Sequence, residues 1–268
     1  MAASAEIRAW SPPVPGVAEV LHARFTDHVY PLHTHDTWTV LIIDVGAVAY
    51  DLDHDEHDAL QPLVTVLPPH VPHNGRSATG AGFRKRVLYL EADQLGPELV
   101  GRAVDRPALA DPALRTGIDR LHRSLREPGD EFEAEARFAV VRERLDEHLR
   151  RIGTTADPTS RSLARRLREL LDARTGTGLT LTEASDILGA HPTHLVRSFG
   201  REFGMPPHRY LNGRRLDRAR RLLLAGWPAG EVAQQAGFFD QSHLTRHFRR
   251  LLGVTPAVYS RSGAGNRT

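Results

Sequence analysis

Cysteine is absent from the chain, which excludes disulfides, thiolate catalysis and cysteine-ligated zinc. Lysine is nearly absent: of 35 basic residues only Lys85 is not an arginine. Long apolar runs are missing too. The longest, around Thr39–Tyr50, is broken by Asp44 and falls short of the roughly 20 residues a bilayer-spanning helix needs, so no membrane partner is expected. The opening MAASAEIRAW has no basic segment followed by an apolar one. No secretory signal is read, and a cytoplasmic location is expected. No glycine-rich phosphate loop and no nucleophile constellation appear. The chain is accordingly read as a non-enzyme, with no catalytic residue and no cofactor assigned.

What is present is 268 residues, 40% hydrophobic and 25% charged, which suits two modest globular domains. The net charge of +2 conceals opposed halves. Residues 161–268 carry 18 arginines against 8 acids, or +10; the first 160 residues carry 17 basic groups against 25 acids, or −8. A basic half joined to an acidic half points to nucleic-acid contact by one domain only. A solvated arginine-rich surface would give the same count, so the pattern of the arginines has to decide.

Residues 1–95 read as one domain, with residues 1–15 a loose lead-in and β structure from about Val17 to Leu95. TWTVLIIDV, AVAYDL, LVTVLP and FRKRVLYLE are β-branched and aromatic stretches punctuated by Gly, Pro, Asp and His, the pattern of a small barrel or sandwich. Residues 96–152 turn helical. There Phe138, Val141, Leu145, Leu149 and Ile152 recur at spacings of three and four, one stripe that serves the domain's own core or a second subunit. A homodimer is therefore expected. Residues 153–162 form a polar linker, 163–262 a basic helical domain and 263–268 a tail.

The helical domain contains an internal repeat. His194, Leu195, Arg197, Phe199, Arg201, Phe203 and Gly204 align with His243, Leu244, Arg246, Phe248, Arg250, Leu252 and Gly253 at a constant offset of 49, continuing into Pro207…Tyr210 and Pro256…Tyr259. Upstream, Glu183…Gly189 matches Glu231…Gly237 at an offset of 48. Each copy carries the parts of a helix-turn-helix. Thr180 and Glu183 form a capping box, Ala184, Ile187 and Leu188 supply a buried side, and Gly189 ends the first helix. Pro192 opens the next helix; in the second copy Pro228 opens the first helix and Asp240 caps the second. Leu195, Phe199 and Phe203, and again Leu244, Phe248, Leu251 and Leu252, form inward stripes.

The outward residues of these two helices suit a DNA major groove. Thr193, Val196 and Arg197 in one, and Gln241, Ser242, Thr245 and Arg246 in the other, are the candidate base contacts, since Arg pairs bidentately with guanine and Gln with adenine. Arg201, Arg214, Arg215, Arg249 and Arg250 are the candidate phosphate contacts; Arg214 and Arg215, with Arg218, Arg220 and Arg221 on the same long helix between the copies, Pro207–Gly226, are phosphate candidates or solvated filler. Two such units, held about 34 Å apart by a rigid bar, would meet one face of double-stranded DNA.

On these motifs, residues 163–262 resemble the DNA-binding domain of the AraC/XylS family of bacterial transcription regulators. His191, where a small capping hydroxyl is more usual, is a departure. More weakly, YPLHTHDTWTV, the Gly46 turn and LPPHVPHNG are similar to the cupin-like sensor domain of such regulators. The resemblance implies an α+β multidomain chain: a cupin-like β-barrel or sandwich followed by helices, then an all-α domain with two helix-turn-helix motifs joined by a long helix. It also implies a small-molecule effector in the first domain, a homodimer and, for an activator, contact with RNA polymerase.

His33, His35 and Trp38, with His73, are the candidate effector pocket. The three histidines have the spacing of a metal-binding cupin, which leaves a cupin dioxygenase or isomerase fused to a DNA-binding domain as the rival reading. Against it, Thr39 stands where such enzymes place a glutamate ligand, and His70 stands where a glycine is expected. No metal is expected; if one binds, these three histidines hold it. An effector-independent regulator is the remaining alternative.

Overall fold

The computed structural model describes residues 5–126, 129, 131–152 and 162–264. The polar linker expected over 153–162 lies outside the described residues except for Ser162, as do residues 265–268 of the expected tail.

Ten strands are formed among the described residues: β1 (Ala5–Trp10), β2 (Val17–Phe25), β3 (Tyr30–His33), β4 (Trp38–Val45), β5 (Val48–Leu52), β6 (Asp55–Ala59), β7 (Val64–Leu67), β8 (His73–Ser77), β9 (Phe83–Leu90) and β10 (Ala108–Leu109). They make a six-stranded antiparallel sheet, β1-β2-β9-β4-β7-β10, and a four-stranded one, β3-β8-β5-β6. The short β10 comes from the segment expected to be helical, and β1, which pairs with β2 along its whole length, comes from the expected lead-in. Gly46 turns β4 into β5 at φ +76°, where a Cβ would meet the Gly82 carbonyl oxygen at 2.3 Å. Only glycine fits there.

The first six residues of β4 are all buried. A strand without polar alternation is covered on both faces, and so it is. Leu41 and Ile43 join a core shared with the second sheet, while Trp38, Val40 and Ile42 join a core on the opposite face. That opposite face is covered by α1 (Val100–Asp105), α2 (Pro112–Ser124) and α3 (Glu131–Arg151). Phe138, Val141, Leu145, Leu149 and Ile152 are all buried there, so the stripe is used within the subunit. Asp111 ties the layer together: its carboxylate caps α2 through the amides of Ala113 and Leu114 and accepts from Arg144 and His148 of α3.

The C-terminal half comprises α4 (Leu163–Ala173), α5 (Leu181–Leu188), α6 (Pro192–Phe203), α7 (Pro207–Leu224), α8 (Ala229–Gln235), α9 (Gln241–Leu252) and α10 (Pro256–Ala264). Its two units are not equivalent. The first has its own core, built on Leu167, Leu171, Leu195, Phe199, Phe203 and Tyr210. The second shares a core with the barrel, in which Val232, Leu244, Phe248 and Tyr259 join Leu21, Phe25 and Tyr89. Helix α10 also covers the sheet edge, where the Ala9 amide donates to Ser262 Oγ at 3.0 Å.

Docking between the halves centres on one side of α7. Arg214, Asp217 and Arg220 follow at three-residue steps and share a face. Arg220 donates to Glu19 at 2.6 Å and to the Tyr259 hydroxyl at 3.1 Å, and its guanidinium lies 4.2 Å from the Tyr89 ring centroid. Arg214 sits 3.2 Å from Asp36 and 2.8 Å from Asp172, and Arg221 lies 2.6 Å from Asp36. Removing one partner of a buried ion pair leaves the other charge uncompensated. Glu19→Ala is therefore expected to cost about 3–5 kcal/mol in urea unfolding. Removing Glu56, whose side chain is 64% exposed in its pair with Arg76, is expected to cost at most about 1 kcal/mol.

Between the six-stranded sheet and α2, His22 Nε2 and His122 Nδ1 lie 3.3 Å apart. Burial, with the charges of Arg86, Arg126 and Arg8 adding, lowers the His22 imidazole from 6.5 to about 4. Burial also holds His122 well below its usual value. Both stay neutral in the fold at a pH where the unfolded chain takes up protons. Their contribution is thus full above pH 6.5 and is lost as pH falls toward 4. The urea midpoint is expected to drop between pH 7 and pH 5; equal midpoints would mean that both rings protonate in place.

Candidate functional site

The recognition helices are positioned by their caps. Thr180 and Glu183 form the reciprocal capping box of α5, and Gly189 ends that helix at φ +64°. His191, the departure noted in the sequence, performs the cap itself: its Nδ1 accepts from the Thr193 amide at 3.3 Å. Asp240 caps α9 by accepting from the His243 amide at 2.6 Å, and Gly253 ends it at φ +75°. The inward stripes are buried as read, Leu195, Phe199 and Phe203 on α6 and Leu244, Phe248, Leu251 and Leu252 on α9. Ile187 differs. Expected inside, it is 52% exposed, because the eight-residue α5 buries only Ala184 fully.

Thr193, Arg197, Gln241, Ser242 and Arg246 are exposed, while Val196 and Thr245 are half-buried. Gln241, Ser242, Thr245, Arg246 and Arg249 line one shallow surface groove. Arg201, Arg249 and Arg250 are exposed, and among the described residues none of Arg197, Arg201, Arg246, Arg249 and Arg250 forms an ion pair. Arg220, 4% exposed and paired with Glu19, and Arg221, paired with Asp36, are neither free for phosphate nor solvated filler, because the acidic half of the chain docks on α7. Arg214 departs from expectation for the same reason. Its side chain is 14% exposed and is held by Asp36, Asp172 and Asp217, so the docked arrangement withholds it from phosphate. Arg215 is half-buried, donating to the Thr175 carbonyl at 3.2 Å.

The second site lies inside the barrel, between the two sheets. His33, His35 and His73 line a chamber of about 40 Å³ with Tyr30, Thr39, Tyr50, Lys85, Tyr89 and Leu252. Trp38 is not in it. Strand alternation turns Trp38 to the opposite face of β4, where its Nε1 donates to the Ala92 carbonyl at 3.3 Å. Thr39, where an enzyme's glutamate was looked for, does face the chamber, and the Thr39 and Tyr30 hydroxyls find no hydrogen-bond partner among the described residues. Burial holds the His33 and His35 imidazoles well below their usual value and lowers His73 to about 3. Burial, helped by Arg220, lowers the Lys85 amine to about 7. Sequence reasoning missed Lys85. The signal was there: a lone lysine among arginines, at an inward strand position.

The chamber is wired to the helical half. His35 Nδ1 lies 3.0 Å from Asp217 Oδ1 on α7, and the Asp36 amide donates to Asp217 Oδ2 at 3.2 Å. Burial, with Asp36 nearby, pushes the Asp217 carboxyl up to about 7 against the pull of Arg220 and Arg214. His28 Nε2 meets the Leu251 carbonyl at 3.0 Å, and Leu252, the last residue of α9, forms part of the chamber wall. His70 takes the backbone conformation of the glycine it replaces, at φ +66°, which costs about 1–2 kcal/mol. Its ring contacts the hydroxyl of Tyr210 on α7 at 3.3 Å. None of these partners is close in sequence, which is why they were not foreseen.

Residues 184–262 match the family described as "Helix-turn-helix domain", and residues 15–141 match that described as "AraC-like ligand binding domain". The uncharacterized HTH-type transcriptional regulator YbfI of Bacillus subtilis (strain 168) is 26% identical over 229 residues, 80% of this chain and 81% of its own. The virulence regulon transcriptional activator VirF of Yersinia enterocolitica is 31% identical over 93 residues, 34% of each chain. The structure of ToxT from Vibrio cholerae superposes with a TM-score of 0.59 over 99% of this chain and 100% of that one, at 12% identity, a likeness of fold. A ligand-binding domain of this kind ahead of a helix-turn-helix domain makes the chain an AraC-type DNA-binding transcriptional regulator with an N-terminal ligand-binding domain.

Proposed function

We propose that α6 and α9 read bases through Thr193, Val196, Arg197, Gln241, Ser242, Thr245 and Arg246, while Arg201, Arg215, Arg249 and Arg250 hold phosphates. The observation that carries this is the division of the arginines. Those of α7 that face the barrel are spent on carboxylates, whereas those on the outer faces of α6 and α9 are exposed and, among the described residues, unpaired. An exposed cation without a partner on a helix fixed by its apolar face is what a groove requires.

The barrel chamber is, in this reading, the effector site, and its ligand is small and polar. About 40 Å³ holds an ion and a water or two. A long aliphatic ligand such as the unsaturated fatty acid bound in one ToxT structure would need a far larger space. Presentation of α9 follows the chamber because Leu252 belongs to both. The chain acts as a homodimer in this reading. Support for that comes from Phe132 and Val140, 86% and 64% exposed on α3, Val140 lining the groove between α3 and α2.

Replacing Arg246 by alanine in the full chain is expected to cost about 1–3 kcal/mol at the cognate site and to relax one base position, measured by selecting bound sequences from random DNA with each protein. Equal loss on all sequences would make Arg246 a phosphate contact and remove the base-reading assignment. Arg249→Ala, by contrast, is expected to weaken all sequences alike and to reduce the slope of log affinity against log salt by about 1.

A further inference from the structure

We propose that His33, His35 and His73 form a binding site for a single divalent transition-metal ion, and that its occupancy reaches the DNA-binding half through the contact between His35 and Asp217. The inference rests on the reading of the barrel as a ligand domain and names the chemistry of the ligand.

The strands bring the rings together. His33 and His73 are direct cross-strand partners on β3 and β8, and their ring centroids lie 4.4 Å apart. The His35 ring centroid is 4.8 Å from that of His33 and 5.1 Å from that of His73. One ligand nitrogen from each ring lies within 4.8 Å of the other two, and all three residues are buried. Bonds of 2.0–2.1 Å to a tetrahedral ion would bring such nitrogens to ~3.3 Å apart, a small inward tilt of the side chains.

The hydrogen bonds prepare the rings for an ion. His33 Nδ1 faces the Pro31 carbonyl at 2.7 Å, His73 Nδ1 faces the Val71 carbonyl at 3.0 Å, and His35 Nδ1 faces the Asp217 carboxylate at 3.0 Å. A carbonyl oxygen only accepts, so Nδ1 of His33 and of His73 carries the proton. Asp217 in its ionised form, which Arg214 at 3.6 Å and Arg220 at 3.7 Å favour, accepts from His35 Nδ1 likewise, and each Nε2 then keeps its lone pair. This is the arrangement of metal-bound imidazoles, whose remaining N–H is held by a carbonyl or carboxylate.

Other occupants fit less well. With the Nδ1 protons committed, no ring has an N–H left to donate to a neighbour. A water brings two hydrogens to three lone pairs, one short, whereas a cation satisfies all three. Three imidazole nitrogens with no carboxylate on the chamber wall suit zinc, cobalt, nickel or iron(II) over calcium or magnesium. The ion would keep its full charge. Its open position would take a water or a small anion, with Lys85, Tyr30 and Thr39 on the same wall.

Asp217 is then a positioning residue. It orients His35 from α7, so an ion on His35 tightens a hydrogen bond that crosses between the halves of the chain.

The test uses the full-length chain, stripped with a chelator and titrated with Co²⁺. One equivalent is expected to bind with visible ligand-field absorption that Zn²⁺ removes. His73→Ala and His33→Gln, checked for folding by circular dichroism, are expected to lose that equivalent. The chain has 15 histidines, so bands that survive both substitutions place the ion elsewhere and overturn the proposal, as does a wild-type chain that takes up no cobalt. Asp217→Asn is expected to weaken Co²⁺ binding about 10–100-fold with the bands retained; unchanged affinity overturns the link through α7. Sequence-specific DNA binding by the same preparation is measured alongside. Specific DNA binding without cobalt uptake sinks the metal site and leaves the groove-reading assignment standing; cobalt uptake without specific DNA binding does the reverse.

Discussion

Arg220 is the group that the rest of the molecule has to accommodate. A guanidinium out of water carries a penalty of several kcal/mol unless its donors and charge are met. Here they are met from two directions: Glu19 on β2 supplies the charge, and Tyr259 on α10 and the face of Tyr89 on β9 complete the surround. All these groups must be in place at once, so the arrangement fixes α7 against the barrel in position and in rotation. Because α7 runs between the two helix-turn-helix units, fixing it also sets α6 and α9 relative to the chamber. The ion pairs with Asp36 add to this from Arg214, six residues back on the same helix, and from Arg221, the next residue.

This docking changes the meaning of the charge asymmetry. The +10 and −8 halves suggest a basic surface for nucleic acid, yet part of that imbalance is the two halves recognising each other. Arginine serves both purposes because its planar fork suits a carboxylate as well as a phosphate. Type alone cannot separate the two uses; the neighbours do. On α7 the acids are within hydrogen-bond reach, whereas Arg197 and Arg201 on α6 and Arg246, Arg249 and Arg250 on α9 form no ion pair among the described residues.

Much of the architecture was legible because period and punctuation agree. The repeat, its caps and its glycine stops made the two helix-turn-helix units readable nearly to the residue, and β-branched runs between turn residues marked β4, β5, β7 and β9. What escaped had a common cause. The face of Trp38 was hidden by a six-residue apolar run, since a strand buried on both sides carries no alternation from which to tell its faces apart. The role of Arg214 was ambiguous because its acid Asp36 lies in the other half of the chain. His70 and His191, read as departures from a family pattern, turn out to fill the vacated roles with their own backbone or ring. The three chamber histidines were singled out by spacing alone. Their hydrogen-bonded Nδ1 atoms, which decide what they can hold, depend on strand register and on α7.

Helix α9 divides its duties along its length. Its first two turns present Gln241, Ser242, Thr245 and Arg246 to the outside, and its final turn ends in Leu251 and Leu252, which belong to the barrel. The two sets share an axis and line different surfaces. On the proposed reading, operator preference is free to drift by exchange of outward side chains near one end, while the response to the chamber is kept at the other. A lineage with this arrangement can acquire new target promoters and still answer the same signal.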